Sequence, residues 1–455
     1  MSVIKPAKTM KLIIKTSVTL LLVFSLFSCN SGTETAPKKK PNVLVILIDT
    51  LRADHLSFNG YERNTSPVLD KFASENMNFK YAYSSSAWTP PSIATLFTGI
   101  YPSVHGHMPL KSQDDERAKG KFSKVDDGFT TLAEAYKENG YDTACISANP
   151  MVGENYGLKQ GFDHFYSPGR ETAAMVNKRS LKYLTELRAK DKPFFLYMHY
   201  MDPHHPYTPV APYDKMFSGP LKSREYKQRE VNYIGKYDGE IKYVDDKIGE
   251  MFEWFRQNNL YEDLVVLIVA DHGEQFMERG YLGHADRLHT EEVHIPYILK
   301  ANGAKGESKV PVSLVDAFPT LMEASGIEFK HAIHGVSLLS ALEKRKEQGV
   351  LLEIIRHYNQ KAFINSAGEK ILLEYKMDLG MVNTKLDEAF KVNLYDIYKD
   401  NLEVKPIEDS ALMSKLKEDF KKLYKEILGL KKDYKTSEIE MDDDTFEKLK
   451  TLGYI

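Results

Sequence analysis

Two long hydrophobic runs, each followed by a carboxylate, constrain the fold of this chain more than any other feature of its sequence. Residues 42–48 are mostly apolar and rich in β-branched side chains and lead into Asp49, and residues 263–270 repeat the pattern before Asp271. Such runs are typical of central strands in a parallel sheet that is covered on both faces. Because the carboxyl ends of parallel strands meet at one edge, we expect Asp49 and Asp271 side by side where open α/β sheets bind ligands. A carboxylate that only caps the next turn is the alternative for each.

The rest of the chain alternates between helical and strand patterns. Helices are predicted over residues 66–76, 130–139, 223–259 and 312–324, and strands over residues 77–83, 142–148 and 193–200. This alternation predicts an α/β fold with a large, mixed, mostly parallel sheet flanked by helices. Short strands after about residue 345 and a helix over residues 411–429 indicate a smaller C-terminal α+β subdomain with an antiparallel sheet. We therefore expect a main domain over residues 41–345 and a subdomain over residues 346–455.

The first forty residues have the composition of a targeting segment. Four lysines precede an apolar run over residues 18–27, which is too short to span a bilayer but typical of a secretory signal peptide. The run ends in Leu-Phe-Ser-Cys, which resembles the lipobox of bacterial lipoproteins, with Cys29 as the lipidated residue. A stray cysteine in an ordinary signal peptide is the alternative. We predict a signal peptide over residues 1–29, a flexible tether over residues 30–40, and an extracytoplasmic protein held by a lipid anchor on a bacterial membrane, in the periplasm or at the cell surface.

The charge balance argues against a nucleic-acid partner. The chain has 61 Lys and Arg residues against 64 Asp and Glu residues, and no basic stripe stands out. The second of its two cysteines, Cys145, lies in a predicted buried strand. We interpret it as a packed apolar side chain and not as a catalytic thiol.

A short stretch, residues 84–99, has the order expected at the start of a helix. Thr89 precedes a Pro-Pro-Ser step that opens an apolar, helix-like run. This order predicts Thr89 at the N-cap of a short helix. Because backbone N–H groups and the positive end of the helix dipole favour anions there, we expect a phosphate or sulfate near Thr89. A plain helix cap is the alternative.

Histidines accompany the two carboxylates. His272 directly follows Asp271. A dense run of polar residues at 201–207 follows the strand predicted over residues 193–200. Two buried carboxylates that lie side by side repel each other. A metal ion shared by Asp49, Asp271 and His272 would explain how they tolerate that arrangement.

Seven motifs follow one another along the chain. They occupy residues 41–54, 88–99, 202–207 (Asp-Pro-His-His-Pro-Tyr), 270–274 (Ala-Asp-His-Gly-Glu), 283–284, 313–320 and 449–454. In this order they resemble the sulfatase family of the alkaline phosphatase-like superfamily, over nearly the whole chain after the targeting segment. The resemblance implies an alkaline phosphatase-like fold and one divalent metal ion held by Asp49, Asp271, His272 and the nucleophile, Thr89.

The chain departs from the sulfatase pattern Cys-x-Pro-Ser-Arg at two positions. The first residue, which becomes formylglycine in sulfatases, is here Thr89, which is not a substrate for that conversion, and the Arg is replaced by Ile93. Thr50 stands where the family usually has a second Asp. The Asp-His pair is instead similar to phosphonate monoester hydrolases, and the Thr nucleophile to phosphoethanolamine and glycerophosphate transferases.

The resemblance also implies that His204 and His284 bind the substrate or act as the general acid. Asn149, at the end of a predicted strand, reaches the anion or, alternatively, shapes the turn before Pro150. For the remaining polar residues we expect structural roles: an Arg52–Asp54 pair, and packing or ligand support by His289 and His294. A second metal held by Asp202, His204 and His284 is the alternative.

The function expected from these residues is ester hydrolysis. A metal lowers the pKa of a coordinated hydroxyl, which removes the need for a separate base. With one imidazole among oxygen ligands, Zn²⁺ or Mn²⁺ is favoured, with Ca²⁺ and Mg²⁺ as alternatives. We predict a hydrolase of phosphate or phosphonate (di)esters that passes through a covalent Thr89 ester. The alternatives are a sulfuric ester hydrolase, a head-group transferase and a non-catalytic binding protein.

Overall fold

The computed structural model describes Met1 and residues 39–107, 121–187, 192–222, 225–301, 303–356, 358–376, 386–433 and 437–440. Residue contacts divide the chain into two units, Met1–Lys40 and Pro41–Ile455. Of the first unit only Met1, Lys39 and Lys40 are described. The predicted signal peptide, Cys29 and most of the tether therefore lie outside the described residues. Within the described part of the chain, no helix is long and apolar enough to cross a membrane.

Helices and strands alternate along most of the second unit, as its hydrophobic pattern predicts. The strands are β1 (Val43–Ile48), β2 (Met77–Phe79), β3 (Ala82–Tyr83), β4 (Lys121–Lys124), β5 (Asp142–Ser147), β6 (His164–Tyr166), β7 (Phe194–Tyr200), β8 (Val265–Val269), β9 (Gln275–Phe276), β10 (Leu282–Gly283), β11 (His294–Ile295), β12 (Tyr297–Lys300), β13 (Gly306–Ser308), β14 (Val312–Ser313), β15 (Val350–Ile355), β16 (Asn359–Ile364), β17 (Glu369–Tyr375), β18 (Lys391–Asp396) and β19 (Ser437–Glu440). The α-helices are α1 (Pro67–Glu75), α2 (Thr89–Thr98), α3 (Pro102–His105), α4 (Leu132–Glu138), α5 (Ala173–Leu187), α6 (Gln228–Gln257), α7 (Thr290–Val293), α8 (Ala317–Ala324), α9 (Leu342–Gln348) and α10 (Ser410–Leu428).

The first hydrophobic run forms the centre of the main sheet. This sheet has eight strands in the order β13-β2-β12-β8-β1-β7-β5-β6. β1 pairs in parallel with β8 and with β7, and β7 pairs in parallel with β5, whereas β12 is antiparallel to both of its neighbours. Every residue of β1 and β8 is buried, as expected for strands covered on both faces. The predicted large, mixed, mostly parallel sheet is therefore confirmed.

The long helix α6 packs on the main sheet with its apolar side, where Phe255 stacks on Phe194 of β7 with the ring centroids 6.3 Å apart. Its buried residues include the apolar positions Ile234, Val244, Ile248, Met251, Phe252 and Phe255. Phe252 stacks on Phe72 of α1, with the ring centroids 5.0 Å apart. The recurrence of these positions every three or four residues is what makes the segment a helix with one buried face.

The C-terminal part forms a separate small sheet. β15, β16, β17 and β18 pair in this order, each antiparallel to the next. α10 packs on this sheet, where Phe420 stacks on Phe363 of β16 at 5.9 Å between ring centroids. These elements confirm a small C-terminal α+β subdomain, and its boundary at residue 346 stays a prediction.

The helix predicted over residues 223–259 is α6, which begins only at Gln228. Two further predicted elements were wrong in extent because of strand pairing. The strand predicted over residues 77–83 is two short strands, β2 and β3, which belong to different sheets. The helix predicted over residues 312–324 begins only at Ala317, because Val312 and Ser313 pair with β3 and a 3₁₀ turn, Leu314–Asp316, follows. In both cases pairing with a distant strand overrides the local pattern.

Candidate active site

Asp49 and Asp271 lie next to each other at the carboxyl edge of the main sheet. Asp49 directly follows β1, and Asp271 comes two residues after the neighbouring β8 ends. With His272 they form a buried group whose ligand atoms all lie within 4.8 Å of one another. Asp49 Oδ1 and Asp271 Oδ2 are buried and have no hydrogen-bond partner. Since unpaired buried carboxylate oxygens are costly, this donor set fits a divalent cation.

The pKa shifts of the two carboxylates also favour a bound cation. Burial alone would raise the pKa of Asp49, but the hydrogen bond with His199 and the nearby imidazoles lower it below its ordinary value. Burial and the charge of Asp49 raise the pKa of Asp271, although the neighbouring imidazoles of His272 and His199 oppose the shift. The pair therefore resists holding two negative charges, and a bound cation would relieve that repulsion.

The Nε2 atom of His272 faces Asp271 and Thr89. Its Nδ1 lies 2.9 Å from the Gly273 carbonyl oxygen. Because a carbonyl oxygen only accepts hydrogen bonds, Nδ1 carries the proton and Nε2 keeps a lone pair in the neutral ring. Nε2 lies 3.1 Å from Thr89 Oγ1 and 3.4 Å from Asp271 Oδ2. The predicted ligand residues Asp49, Thr89, Asp271 and His272 are thus brought together.

Thr89 is the first residue of α2, and its predicted place at the N-cap was wrong by one residue. Trp88 occupies the N-cap and makes no side-chain capping bond. Pro90 and Pro91 have no N–H group, and the Ser92 amide donates to Trp88 O at 3.3 Å. Of the first helical amides, at most that of Thr89 can face an anion. The helix N-terminus therefore offers fewer donors than the sequence pattern predicts.

Thr50, in the position of the family's second Asp, contributes through its backbone. Its φ of 54° is left-handed, which is strained for a β-branched residue. In this conformation its amide donates to Asp271 Oδ1 at 3.2 Å, and its carbonyl accepts from Tyr237 Oη at 2.7 Å. The strained residue thus holds one oxygen of Asp271 and leaves Oδ2 for a ligand.

Asp49 is oriented by two side chains, one of which the sequence reasoning missed. His199 Nε2 lies 2.9 Å from Asp49 Oδ2, and Tyr197 Oη lies 2.9 Å from His199 Nδ1. Asn149, predicted to reach the anion or to shape a turn, donates from Nδ2 to the same Asp49 oxygen at 2.5 Å, while its Oδ1 accepts from the Met151 amide at 2.7 Å. The one sign of His199 in the sequence is a titratable residue inside an otherwise apolar strand.

His284 lies next to His272, and His204 lies next to His284. The His284 ring centroid is 4.4 Å from that of His272 and 4.9 Å from that of His204. His204 Nδ1 donates to the His205 carbonyl at 2.5 Å, and His284 Nδ1 lies 2.9 Å from Glu274 Oε1. Burial lowers the pKa of His204 to about 3 and that of His284 well below its ordinary value. Both rings are therefore neutral imidazoles.

The remaining polar residues have structural contacts. Arg52 forms a bidentate pair with Asp54 at 2.9 and 2.8 Å, as predicted, and also reaches Glu278 Oε1 at 2.7 Å. His289 is buried beside Tyr395, and His294 Nε2 lies 2.8 Å from the Lys80 carbonyl.

The second metal site considered at Asp202, His204 and His284 is not formed among the described residues. Asp202 Oδ2 instead accepts from the Ala173 amide at 2.9 Å. Cys145 is fully buried in β5, which fits its interpretation as a packed side chain.

Known proteins share both the sequence pattern and the fold of this chain. The sulfatase family model matches residues 41–327. An uncharacterized sulfatase of Escherichia coli, YidJ, is 24% identical over 383 residues, which cover 70% of this chain and 74% of that protein. An ulvan-active sulfatase of Formosa agariphila is 24% identical over 382 residues, which cover 73% of this chain and 72% of that protein. The structure of a phosphonate monoester hydrolase of Agrobacterium radiobacter superposes with a TM-score of 0.67 at 17% identity and covers 89% of this chain and 100% of its own.

Proposed function

The chain belongs to the sulfatase family and is an ester hydrolase, and we propose that it cleaves phosphate or phosphonate esters, diesters included, with Thr89 as the nucleophile. One observation carries this proposal. The Thr89 hydroxyl lies 3.1 Å from His272 Nε2, beside two carboxylate oxygens that have no partner. A hydroxyl in this position needs no conversion to an aldehyde in order to attack.

Four residues would hold one divalent metal ion in this site: Asp49, Asp271, His272 and Thr89. Such an ion supplies positive charge that lowers the pKa of a bound hydroxyl and neutralises a tetrahedral anion. The imidazole ligand favours Zn²⁺ or Mn²⁺ over Ca²⁺ or Mg²⁺.

The proposed reaction has two steps, which the side chains of this site carry out. In the first, a bond forms between Thr89 Oγ1 and phosphorus while the bond from phosphorus to the leaving oxygen breaks. Nε2 of His204 or His284, which has a lone pair in the neutral ring, takes the proton of the Thr89 hydroxyl and passes it to the leaving oxygen. In the second, water attacks the Thr89 ester, and the bond from phosphorus to Thr89 Oγ1 breaks as the bond to the water oxygen forms. The same imidazole accepts a proton of that water and returns it to Thr89 Oγ1, which restores the hydroxyl.

Sulfate esters are the second candidate substrates, since both relatives named above are sulfatases. A sulfate monoester and a phosphonate monoester are both singly charged tetrahedral anions, so the same charges and imidazoles can receive either. The identity of residue 89 favours phosphorus, because sulfatases of this family use formylglycine at that position and Thr cannot supply it.

A panel of ester substrates tests this proposal. The protein is stripped of metal, reloaded with Zn²⁺, Mn²⁺ or Ca²⁺, and assayed on aryl phosphate monoesters and diesters, an aryl phosphonate and an aryl sulfate. Thr89→Val is compared with Thr95→Val, a matched control on the same helix whose Oγ1 also lies 3.1 Å from a histidine Nε2, that of His105. We expect phosphoester or phosphonate turnover that only Thr89→Val abolishes. Turnover of the sulfate alone would overturn the substrate proposal, and turnover in Thr89→Val would overturn the nucleophile.

We also propose that a lipid on Cys29 anchors the enzyme outside the cytoplasm. The sequence before Cys29 supports this, since a signal-peptide pattern leads directly into a lipobox-like Leu-Phe-Ser-Cys. Expression in a bacterium that is fed a labelled fatty acid should label the full chain but not Cys29→Ser. Equal labelling of the two would contradict the anchor.

A further inference from the structure

The loop that carries His204 is held by a single arginine from another part of the chain. Arg170 lies between β6 and α5. Its guanidinium donates to three successive carbonyl oxygens: Nη2 to His204 O, Nη1 to His205 O and Nη2 to Pro206 O, each at 3.0 Å. One rigid, planar group therefore fixes three consecutive peptide groups.

One of these carbonyls, that of His205, also connects Arg170 to the His204 imidazole. His205 O accepts from Arg170 Nη1 at 3.0 Å and from His204 Nδ1 at 2.5 Å. The position of this oxygen therefore decides where the ring lies and which nitrogen carries the proton. With the proton on Nδ1, the neutral ring has its lone pair on Nε2.

The backbone of the loop contributes little to holding its own shape. Pro203 and Pro206 have no N–H to donate. The His204 amide donates to Met201 O at 2.8 Å within the same loop. Contacts to the rest of the protein are therefore needed to fix residues 204–206.

A buried carboxylate of α6 completes the arrangement. Glu240 Oε1 accepts from the Thr208 amide at 2.7 Å and lies 3.9 Å from Arg170 Nη2. Glu240 is 1% exposed, so its position is set by the core. It holds the end of the loop and lies beside the guanidinium that holds the middle.

We propose that Arg170 is a positioning residue for His204: through the His205 carbonyl it fixes the ring and its tautomer so that the Nε2 lone pair can take up a proton and pass it to the leaving oxygen. This inference rests on the proposed function for the role of His204 in turnover. It predicts that Arg170 affects the rate only through His204.

A double-mutant cycle tests this dependence. Arg170→Met is expected to lower kcat about 10- to 100-fold, as small misplacements of a catalytic group do, and Arg170→Lys to restore part of the loss. In the His204→Ala background, Arg170→Met should cause no further loss. Arg179→Met is the control, since Arg179 stacks on Tyr166 at 4.8 Å and pairs with Glu171 at 3.7 Å. An equal loss from Arg170→Met in both backgrounds would overturn the proposal.

Imidazole nitrogen resonances give a readout that does not depend on turnover. In protein labelled with ¹⁵N-histidine, the His204 signals are identified by their loss in His204→Ala. The wild-type ring should show a protonated Nδ1, and this pattern should be lost in Arg170→Met but kept in Arg179→Met. An unchanged pattern in Arg170→Met would overturn the inference. If the pattern changes but His204→Ala turns over at the wild-type rate, the positioning stands and the proposed catalytic role of His204 fails.

Discussion

At the scale of single residues, the orientation of Asp49 depends on neighbours that lie outside the proposed set of metal ligands. His199 and Asn149 both contact Asp49 Oδ2, which leaves Oδ1 without a partner and available to a cation. Hydrogen bonds of this kind fix the geometry of a metal ligand and raise its affinity for the ion. His199 therefore matters for metal affinity although it is no ligand in the proposed set.

His199→Ala is expected to weaken the binding of Zn²⁺ or Mn²⁺ about 10- to 100-fold. The measurement is calorimetric titration of the metal-free protein. The control is His294→Ala. This change also removes a histidine, but one whose Nε2 lies against the Lys80 carbonyl and not against Asp49. Equal affinities in the two variants would show that His199 does not act through Asp49.

The sequence predicted which residues come together in the candidate metal site but not the residues that support them, for a physical reason. Asp49, Asp271 and His272 each follow a recognisable strand, so their place at the sheet edge could be predicted. His199 reaches Asp49 only because β7 pairs with β1 in the register that sets His199 opposite Leu47. Register between strands far apart in sequence depends on the whole sheet, and no local pattern shows it.

At the scale of elements, the C-terminal sheet reaches the edge of the active site. Arg356 directly follows β15, and its guanidinium lies 4.7 Å from the ring centroid of Trp88, the residue before Thr89. After burial, the charge of Arg356 is among the causes that lower the pKa of His284. This arginine therefore lies close enough to act on a bound anion.

Arg356→Ala is expected to lower kcat/KM for anionic esters about tenfold, equivalent to about 1.4 kcal/mol, because a positive charge near the anion is lost. The effect should shrink at high salt. Steady-state kinetics at two salt concentrations measure it. Arg256→Ala is the matched control, since Arg256 stacks on Tyr261 at 4.2 Å near the end of α6. A loss no larger than that of the control would contradict the expectation.

The boundaries of helices and strands show where local sequence is sufficient to predict an element. The helix predicted over residues 130–139 corresponds to α4, Leu132–Glu138, and Thr131 and Glu134 form the capping box at its start. At α2 two prolines follow Thr89, and the helix begins one residue earlier than an N-cap at Thr89 would require. The short strands β3 and β14 pair with each other, and β3 also pairs with β11, so these strands depend on distant partners that local sequence does not show.

At the scale of the whole molecule, a half-buried histidine ties stability to pH. His334 joins two distant segments: its Nδ1 accepts from the Tyr101 amide at 3.1 Å, and its Nε2 donates to Ile427 O at 3.0 Å. Burial lowers the pKa of His334 from 6.5 to about 4. Between these two values the unfolded chain binds a proton that the folded protein does not, so stability falls as the pH falls through this window.

His334→Asn is expected to flatten this dependence by up to one proton, or about 1.4 kcal/mol per pH unit. The free energy of unfolding, measured in urea from pH 4.5 to 7.5, gives the slope. His331→Asn, in an exposed position of the same segment, should keep the wild-type slope. A slope in His334→Asn as steep as in the wild type would show that another group causes the acid sensitivity.

The central claim is that Thr89 carries the ester during turnover. The most direct test is to quench the metal-loaded enzyme in acid during turnover of a phosphonate ester or phosphodiester and to map its peptides by mass spectrometry. The peptide that contains Thr89 should carry the phosphonyl or phosphoryl group, and the modification should be absent from Thr89→Val. A modified residue elsewhere, or an unmodified Thr89 in samples trapped throughout the turnover, would contradict the account.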